Sequence, residues 1–435
     1  MVHVWLLLLL AVFGVTNVYT APPPVPEQIH LSYGDNPTEM VVVWSTPVSA
    51  PASQVIYSLF GPPGDDGPIQ FANATEVKFT TGNAQGLKYL HRAVMKNLQP
   101  GQRYSYHVKS GDQNSLSYLF KAMSDKPDWS FKVHVFGDMG HYGGAPALKI
   151  LNDSATNGLV DAIIHVGDFA YDLNTKGGKV GDDFMNRLQP IASKLPYMTC
   201  PGNHEIPYNF SHYLHRFSMP GLSWPMNVNK MWFSFNMGMV HFVSYSTEVY
   251  FTNGPVNEQL QWLSADLQEA NKAENRAKRP WIIAYGHRPM YCSNIDLLGC
   301  DVDGPKLRKG FEDLFYQQGV DIIFEAHEHA YERLWPVYNR KVHEKTYVNP
   351  TAPIHFISAS AGCNDLDGLC IDPILGPAGP WSAFRAWLPG LHGVGKLHVV
   401  NATHIHWQQI IAKDESIMDD MWIEQDQHGP FKPQY

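Results

Sequence analysis

Five apolar runs in the second half of this sequence each end in a short polar cluster whose side chains can bind a metal ion. Such runs are typical of buried strands, and ligands bind in open α/β sheets beyond the carboxyl ends of the strands. In the first three clusters a glycine precedes the polar residue and allows a sharp turn. The clusters are Gly137-Asp138-Met139-Gly140, Gly167-Asp168-Phe169-Ala170-Tyr171, Gly202-Asn203-His204-Glu205, Gly286-His287 and Ala326-His327-Glu328-His329.

The same half of the chain alternates apolar runs with helical stretches, which predicts an α/β domain over residues 129–412. Residues 257–278 carry Leu260, Leu263 and Leu267 among polar neighbours and predict an amphipathic helix. We interpret His134 and His165, which lie inside apolar runs, as packed side chains. The predicted strands are residues 132–136, 162–166, 195–200, 281–285, 321–324 and 354–358.

The first half has a different pattern, because short β-rich runs follow one another between turn signals. Their spacing predicts an all-β sandwich over residues 26–123, joined to the second domain by a polar linker at residues 124–128. The predicted strands are residues 40–44, 54–59, 76–81, 103–108 and 116–120.

Residues 1–21 hold a short apolar run followed by Thr16, Thr20 and Ala21, as in a secretory signal peptide. The run is shorter than the roughly 20 residues that span a bilayer, and no later segment is long and apolar enough, so no membrane span is expected. We therefore expect a secreted protein. Four acceptor sequons predict N-glycans on Asn73, Asn152, Asn209 and Asn401.

The five cysteines are compatible with an oxidising compartment. Cys292 with Cys300 and Cys363 with Cys370 are close enough in sequence for each pair to close a short loop, which leaves Cys200 in an apolar stretch as a buried thiol. Cysteine ligation of a metal is the alternative, although the sequence has no Cys-x-x-Cys spacing.

The formal net charge is −9, which does not suit a nucleic-acid-binding protein. Residues 413–435 contain six acidic residues and two lysines, so this segment supplies almost half of the charge. We interpret residues 413–435 as a solvated acidic C-terminal tail.

The five clusters together offer seven side chains of metal-binding type. Seven ligands are too many for one structural zinc ion and suit two metal ions that share a carboxylate. Any one cluster has an ordinary structural explanation, but five of them at successive strand ends do not. The candidate ligands are Asp138, Asp168, Tyr171, Asn203, His287, His327 and His329.

This ordered set of motifs resembles the purple acid phosphatases of the metallophosphoesterase superfamily, and in particular their animal iron/zinc purple acid phosphatase-like branch. The resemblance extends over residues 26–409 and implies that the N-terminal domain is fibronectin type III-like. Tyr171 is the residue that best distinguishes this family from related phosphodiesterases and nucleotidases, which lack a tyrosine at that position.

The resemblance implies two bound metal ions of different character. One is Fe³⁺ and the other is divalent, zinc being expected and Fe²⁺ or Mn²⁺ being alternatives. The implied Fe³⁺ ligands are Asp138, Tyr171 and His329; the implied divalent ligands are Asn203, His287 and His327; Asp168 bridges them. The chemistry of the donor atoms agrees with this division of the ligands, because phenolate and carboxylate suit Fe³⁺ while imidazole suits a borderline divalent ion.

The implied reaction is hydrolysis of a phosphate monoester at acidic pH by a metal-bound hydroxide. His204, next to Asn203, is the candidate that hydrogen-bonds the phosphoryl group or protonates the leaving alcohol. The alternative is that His204 only orients Asn203.

Two departures from the family pattern stand out. Ala326 replaces the glycine that usually opens the last motif, a change that a small residue should tolerate. Plant members carry two substrate-contacting histidines shortly after the residue equivalent to His287, whereas residues 290–296 contain none. The residues that contact the substrate are therefore left open.

Two other functions remain compatible with the sequence. A phosphodiesterase or nucleotide pyrophosphatase could use the same metal ions on a small phosphate ester. A secreted binding or adhesion protein could keep the metal fold without turnover, which the missing histidines favour and the complete ligand set disfavours.

Overall fold

The structure is a computed structural model that describes residues 23–62, 67–80, 87–295, 300–363, 374–375, 377–386 and 392–432. The expected signal peptide at residues 1–21 lies outside the described residues. Within the described part of the chain, no helix has the length and apolar character needed to cross a membrane.

The N-terminal domain consists of two antiparallel sheets, which confirms the predicted sandwich. One sheet has the strand order β1-β2-β6-β5, and the other has β4-β3-β7-β8 with β9 also paired to β7. Tyr104, Tyr106 and Val108 alternate inward along one strand and pack with Trp44 in the core. The strands are β1 (Glu27–Tyr33), β2 (Met40–Thr46), β3 (Gln54–Leu59), β4 (Gln70–Asn73), β5 (Thr75–Phe79), β6 (Lys88–Met95), β7 (Arg103–Ser110), β8 (Gln113–Asn114) and β9 (Tyr118–Lys121).

The second domain contains the remaining strands, several of which are buried along their whole length. They are β10 (Phe131–Phe136), β11 (Ala162–Val166), β12 (Tyr197–Cys200), β13 (Phe233–Met237), β14 (Val240–Ser244), β15 (Trp281–Tyr285), β16 (Asn294–Ile295), β17 (Ile322–Glu325), β18 (Tyr331–Leu334), β19 (Val337–Tyr338), β20 (Lys341–Val342), β21 (Ile354–Ser358), β22 (Ile374–Leu375), β23 (Ser382–Ala386), β24 (Gly393–Val399), β25 (His404–Ile411) and β26 (Ile417–Glu424).

Helices cover the sheets of this domain. The α-helices are α1 (Ala145–Asn157), α2 (Lys179–Ala192), α3 (Ser211–Arg216), α4 (Val256–Ala270), α5 (Ala273–Arg276), α6 (Cys300–Leu307) and α7 (Asp313–Gln317). Short 3₁₀ turns span Asn203–Glu205 and Glu248–Tyr250, and a π-helical turn, Arg308–Glu312, joins α6 to α7.

Two large sheets meet in the core of the second domain. Their strand orders are β12-β11-β10-β24-β25-β26 and β13-β14-β15-β17-β21-β18-β23. Phe324 of one sheet packs on Trp407 of the other, with ring centroids 5.1 Å apart. In each sheet a block of strands is parallel, β10-β11-β12 and β14-β15-β17-β21 respectively, so their carboxyl ends lie at one edge. This arrangement confirms the predicted α/β domain.

The predicted helix at residues 257–278 is two helices. α4 ends at Ala270, and the Asn271 side chain turns back to donate to the Leu267 carbonyl at 2.9 Å and to the Gln318 carbonyl at 2.8 Å. This local hydrogen bonding competes with helix continuation, which is why asparagine is favoured at helix ends.

The interpretation of residues 413–435 as a solvated tail is wrong. Ile417–Glu424 forms the edge strand β26, paired with β25, and its side chains alternate between the two faces. Met421 and Ile423 point into the core, while Asp419 accepts hydrogen bonds from Tyr331 at 2.6 Å and from Arg333 at 2.7 Å and 2.9 Å. In a half-buried strand, apolar residues are expected at every second position. Here Asp419 occupies one of the inward-facing positions and is paired with the buried Arg333 side chain, so the sequence did not show this pattern.

A buried arginine joins the two domains. The Arg216 side chain is 1% exposed and donates to Asp182 on α2 and to Gln28 on β1, each at 2.8 Å. A backbone bridge between Leu31 and Pro196 extends the same contact. Since a buried guanidinium is costly without partners, these bonds hold the sandwich in one orientation against α2.

The structure pairs Cys292 with Cys300 in a disulfide and leaves Cys200 as a buried free thiol, which confirms both expectations. Cys370 lies outside the described residues, so its pairing with Cys363 stays a prediction.

Candidate metal centre

Both large sheets contribute to one cluster at their carboxyl edges. Asp138 follows β10, Asp168 follows β11 and Asn203 follows β12 in the first sheet. His287 follows β15 and His327 follows β17 in the second sheet. Five of the seven predicted ligands are therefore brought to one edge by strand-end position, as the sequence pattern predicts, and Tyr171 and His329 lie further along the turns after β11 and β17.

The turns that carry these side chains use left-handed backbone. Asp138, Asp168, Tyr171 and His327 have φ values of 57°, 54°, 47° and 70°. Non-glycine residues rarely adopt this region, and surrounding contacts must hold them there. The cluster is thus built on backbone that costs free energy to form, a feature common at functional sites.

Three residues form the first half of the cluster. The Tyr171 hydroxyl lies 2.9 Å from Asp138 Oδ1 and 2.9 Å from His329 Nε2, and His329 Nε2 lies 3.3 Å from the same Asp138 oxygen. Asp138 is fully buried. These two oxygens and one nitrogen converge as ligands of one hard metal ion would.

The second half is nitrogen-rich. His287 Nε2 lies 3.1 Å from Asp168 Oδ2 and 3.1 Å from Asn203 Oδ1, and its Nδ1 lies 2.8 Å from the Val166 carbonyl, which fixes the ring. Potential ligand atoms of Asp168, His287 and His327 lie within 4.8 Å of one another. The two halves are joined, because the His327 amide donates to Asp138 Oδ2 at 2.9 Å.

A buried carboxylate and buried imidazoles act on one another inside the cluster. Burial raises the pKa of Asp168, but His287 and His204 outweigh it and hold the pKa below its usual range. Burial lowers the pKa of His287, but Asp168 outweighs it and raises the pKa to about 10. Burial and the Arg288 charge hold the pKa of His327 well below its usual range. The Asp168 carboxylate and the His287 ring thus each favour the charged form of the other.

The residues present fit two metal ions. The first half offers a carboxylate, a phenol and an imidazole, and the second offers an amide oxygen, two imidazoles and the Asp168 carboxylate. Buried charges of this kind are stable only when paired or metal-bound. The ligand role of each residue remains a prediction, whereas their convergence is a property of the structure.

A buried glutamate shapes the turns that hold Asp168. Glu205 is 2% exposed and accepts hydrogen bonds from the amides of Asp168, Phe169 and Gly202 at 2.9, 3.1 and 2.8 Å. Two successive strand ends are thereby tied together, so the side chains of Asp168 and Asn203 are positioned before any ligand arrives.

His204 lies at the open side of the cluster and is 29% exposed. Its Nδ1 lies 2.6 Å from Asp172 Oδ1, its ring packs on Tyr171 with centroids 4.3 Å apart, and its Nε2 lies 4.0 Å from Asp168 Oδ2. These contacts place Nε2 next to the cluster while Asp172 fixes the ring.

Four residues with evident roles were missed from the sequence. Asp172 directly follows the motif residue Tyr171, and Glu205 closes the cluster that begins at Gly202, but neither position carried a local signal of its role. Arg288 follows His287, while Glu248 reaches the cluster only through tertiary contact with Arg288. No spacing rule connects residues 248 and 288.

The fold and the paired donor sets define a metallophosphoesterase. The profile described as "Calcineurin-like phosphoesterase" matches residues 131–331, "Purple acid Phosphatase, N-terminal domain" matches residues 26–126, and "Iron/zinc purple acid phosphatase-like protein C" matches residues 352–420. The chain belongs to the purple acid phosphatase family and is an enzyme of the phosphatase class.

Comparison with individual proteins gives the same family. The human protein named "Acid phosphatase type 7" is 44% identical over 96% of this chain and 95% of its own length. The Arabidopsis thaliana protein named "Probable inactive purple acid phosphatase 9" is 30% identical over 78% of this chain and 57% of its own. A yellow lupin purple acid phosphatase structure has the same fold, with a TM-score of 0.75 and 22% identity over 93% of this chain and 75% of that one.

Gly167 offers a test of how closely the turns are packed. Its φ is 81°, and an added Cβ would lie 2.6 Å from His287 Nδ1 and 2.8 Å from the Gly202 amide nitrogen. Gly167→Ala should therefore move His287 and reduce metal retention, as measured by elemental analysis after dialysis.

Gly158→Ala is the matched control for Gly167→Ala, because Gly158 has a φ of 63° with nothing within 4 Å of the added Cβ. It should cost only about 1 kcal/mol of stability and leave metal content unchanged. Equal metal content in the two variants would contradict the packing argument.

Proposed function

We propose that this protein hydrolyses phosphate monoesters at acidic pH with a binuclear centre. Asp138, Tyr171 and His329 would hold Fe³⁺, and Asp168 would bridge to a divalent ion, zinc, held by the residues of the second half. The observation that supports this most is the contrast between the two donor sets at one sheet edge, one rich in anionic oxygen and the other in imidazole.

When bound, the two metal ions would supply Lewis-acid stabilisation of the phosphoryl oxygens and activation of water. The protein supplies rigidity and proton transfer. Glu205 holds the Asp168 and Asn203 turns, and the Val166 carbonyl fixes the tautomer of His287. These contacts limit reorganisation during the reaction, which is how preorganised sites lower barriers.

His204 is the proposed proton donor to the leaving alcohol. Its Nδ1 donates to Asp172, so Nε2 can donate to a substrate only from the doubly protonated ring, a form that the Asp172 and Asp168 carboxylates stabilise. The partial exposure of the ring leaves room for a substrate. The contacts of the ring with Asp172, Asp168 and Tyr171 favour this role over the alternative, the orientation of Asn203.

We also propose that the protein is secreted and glycosylated. The Cys292–Cys300 disulfide supports an oxidising compartment. The sequon asparagines Asn73, Asn209 and Asn401 are exposed and Asn152 is half-buried, so all four are at the surface, where glycans are added.

Tyr171→Phe tests the iron assignment. The wild-type protein should contain two metal ions and a visible absorption band from the tyrosinate–Fe³⁺ pair, and the variant should lose the band. The measurement is the visible spectrum together with iron and zinc content. A variant that keeps the wild-type band would remove Tyr171 from the metal centre.

Substrate class is tested by comparing an aryl phosphate monoester with the matching diester from acidic to neutral pH. We expect kcat/KM for the monoester to exceed that for the diester, with the larger rate on the acidic side. Faster diester cleavage would favour the phosphodiesterase alternative. Two bound metal ions without turnover of either ester would favour a binding protein, the alternative for which the name of the Arabidopsis relative gives some support.

His204→Ala tests whether His204 donates a proton to the leaving group. An alkyl phosphate needs protonation of its leaving alcohol, so kcat should fall by about 10²–10⁴-fold. A nitrophenyl phosphate has a good leaving group and should lose much less. Equal losses on the two substrates would show that His204 does not act as the acid, and Asp172→Asn should give the same pattern as His204→Ala in weaker form.

A further inference from the structure

The outer face of one N-terminal sheet carries large apolar side chains that no part of the proposed reaction uses. Phe71 on the edge strand β4 is 62% exposed, and Ile69, just before that strand, is 65% exposed. Phe71 pairs directly with the half-buried Ile56 of β3, and Ile56 pairs in turn with His107 of β7. An exposed apolar row at a sheet edge favours association with other molecules, so native proteins usually cover such a row.

The sequon asparagine Asn73 lies on the same face as Phe71. Side chains alternate along a strand, and in β4 Phe71 and Asn73 are exposed whereas Gln70 and Ala72 are half-buried. Because Asn73 is two positions after Phe71, the two Cα atoms are about 7 Å apart along the strand. A sugar linked to Asn73 therefore starts beside the Phe71 ring.

The backbone around the sequon is held on both sides. Asn73 pairs with Gln54 in the β3–β4 ladder, and the next residue, Ala74, donates its amide to the Ser53 carbonyl at 2.9 Å. Thr75, the third sequon residue, opens β5 and is exposed. The sequon thus lies in ordered backbone, which keeps the attachment point at a fixed distance from Phe71.

The other three sequons lack this arrangement. The residues two positions before Asn152, Asn209 and Asn401 are Ile150, Pro207 and Val399. None of these is aromatic, and both Ile150 and Val399 are buried. Asn73 is therefore the sequon at which an exposed aromatic ring and the attachment point share one face.

We propose that the first N-acetylglucosamine of an N-glycan on Asn73 stacks on the Phe71 ring and covers this apolar row. One face of the N-acetylglucosamine ring presents mainly C–H groups, and an aromatic ring can bury such a flat, weakly polar surface. A branched glycan on Asn73 also occupies the space above the sheet that a protein partner would need. The inference rests on the proposed secretion and glycosylation.

The test is a double-mutant cycle on the full-length protein secreted from eukaryotic cells. Thr75→Ala removes the sequon, Phe71→Ser removes the ring, and the changes are made singly and together. Peptide mass spectrometry records the occupancy of Asn73, and the glycans are trimmed enzymatically to a single N-acetylglucosamine. We expect Thr75→Ala to lower the midpoint of thermal unfolding by about 2–4 °C more when Phe71 is present than in Phe71→Ser.

Leu119→Ser is the control variant. Leu119 is 41% exposed on β9, and β7 and β3 lie between it and β4. Its effect on the unfolding midpoint should be the same with and without the sequon. As a direct readout of stacking, the ring current of Phe71 should shift the NMR signals of the trimmed sugar on Asn73 upfield, and Phe71→Ser should abolish the shift.

The outcomes separate the inference from the proposal on which it rests. An occupied Asn73 whose loss has the same effect in wild type and in Phe71→Ser would overturn the stacking. A glycosylated dimer that Phe71→Ser dissociates would also overturn it, because a second copy would then cover the row. An Asn73 that carries no glycan in the secreted protein would instead refute the proposed glycosylation of this site.

Discussion

The burial of Asp168 between histidines and backbone amides is the constraint on which the rest of the site depends. Its side chain is 1% exposed, bonds to His287, and accepts the His204 amide at 2.9 Å. A carboxylate in so dry a position is stable only while positive charge and donors surround it. The neighbouring strand ends must therefore approach closely, which brings the two donor sets together at one edge.

A set of buried glutamates keeps those strand ends in place. Each accepts at least one backbone amide from a loop beside the centre. Glu205 binds the Asp168 turn, Glu325 accepts the Met290 amide at 2.9 Å, and Glu332 accepts the Ser293 amide at 2.9 Å. Loops are normally the most mobile part of a fold, and these bonds make them rigid supports for the ligands.

Part of this could be predicted from the sequence, because the ligand motifs are local. A turn such as Gly167-Asp168 follows directly from its strand, so strand order alone predicts convergence. Residues whose role depends on distant partners could not be recognised. From the sequence, Asp419 was assigned to a solvated acidic tail, because its partner Arg333 is distant in the chain. In the same way, nothing in the sequence around Arg288 indicated that Glu248 and Asp303 would contact its side chain.

The sequence by itself determined the two-domain organisation, the α/β character of the second domain and the seven residues at its strand ends, since periodicity and turn residues are encoded locally. Only the tertiary structure decided which carboxylate orients His204, which glutamate ties the Asp168 and Asn203 turns together, and which residues surround Arg288. Those relations are distances between residues far apart in the chain, and they exist only after both sheets have packed.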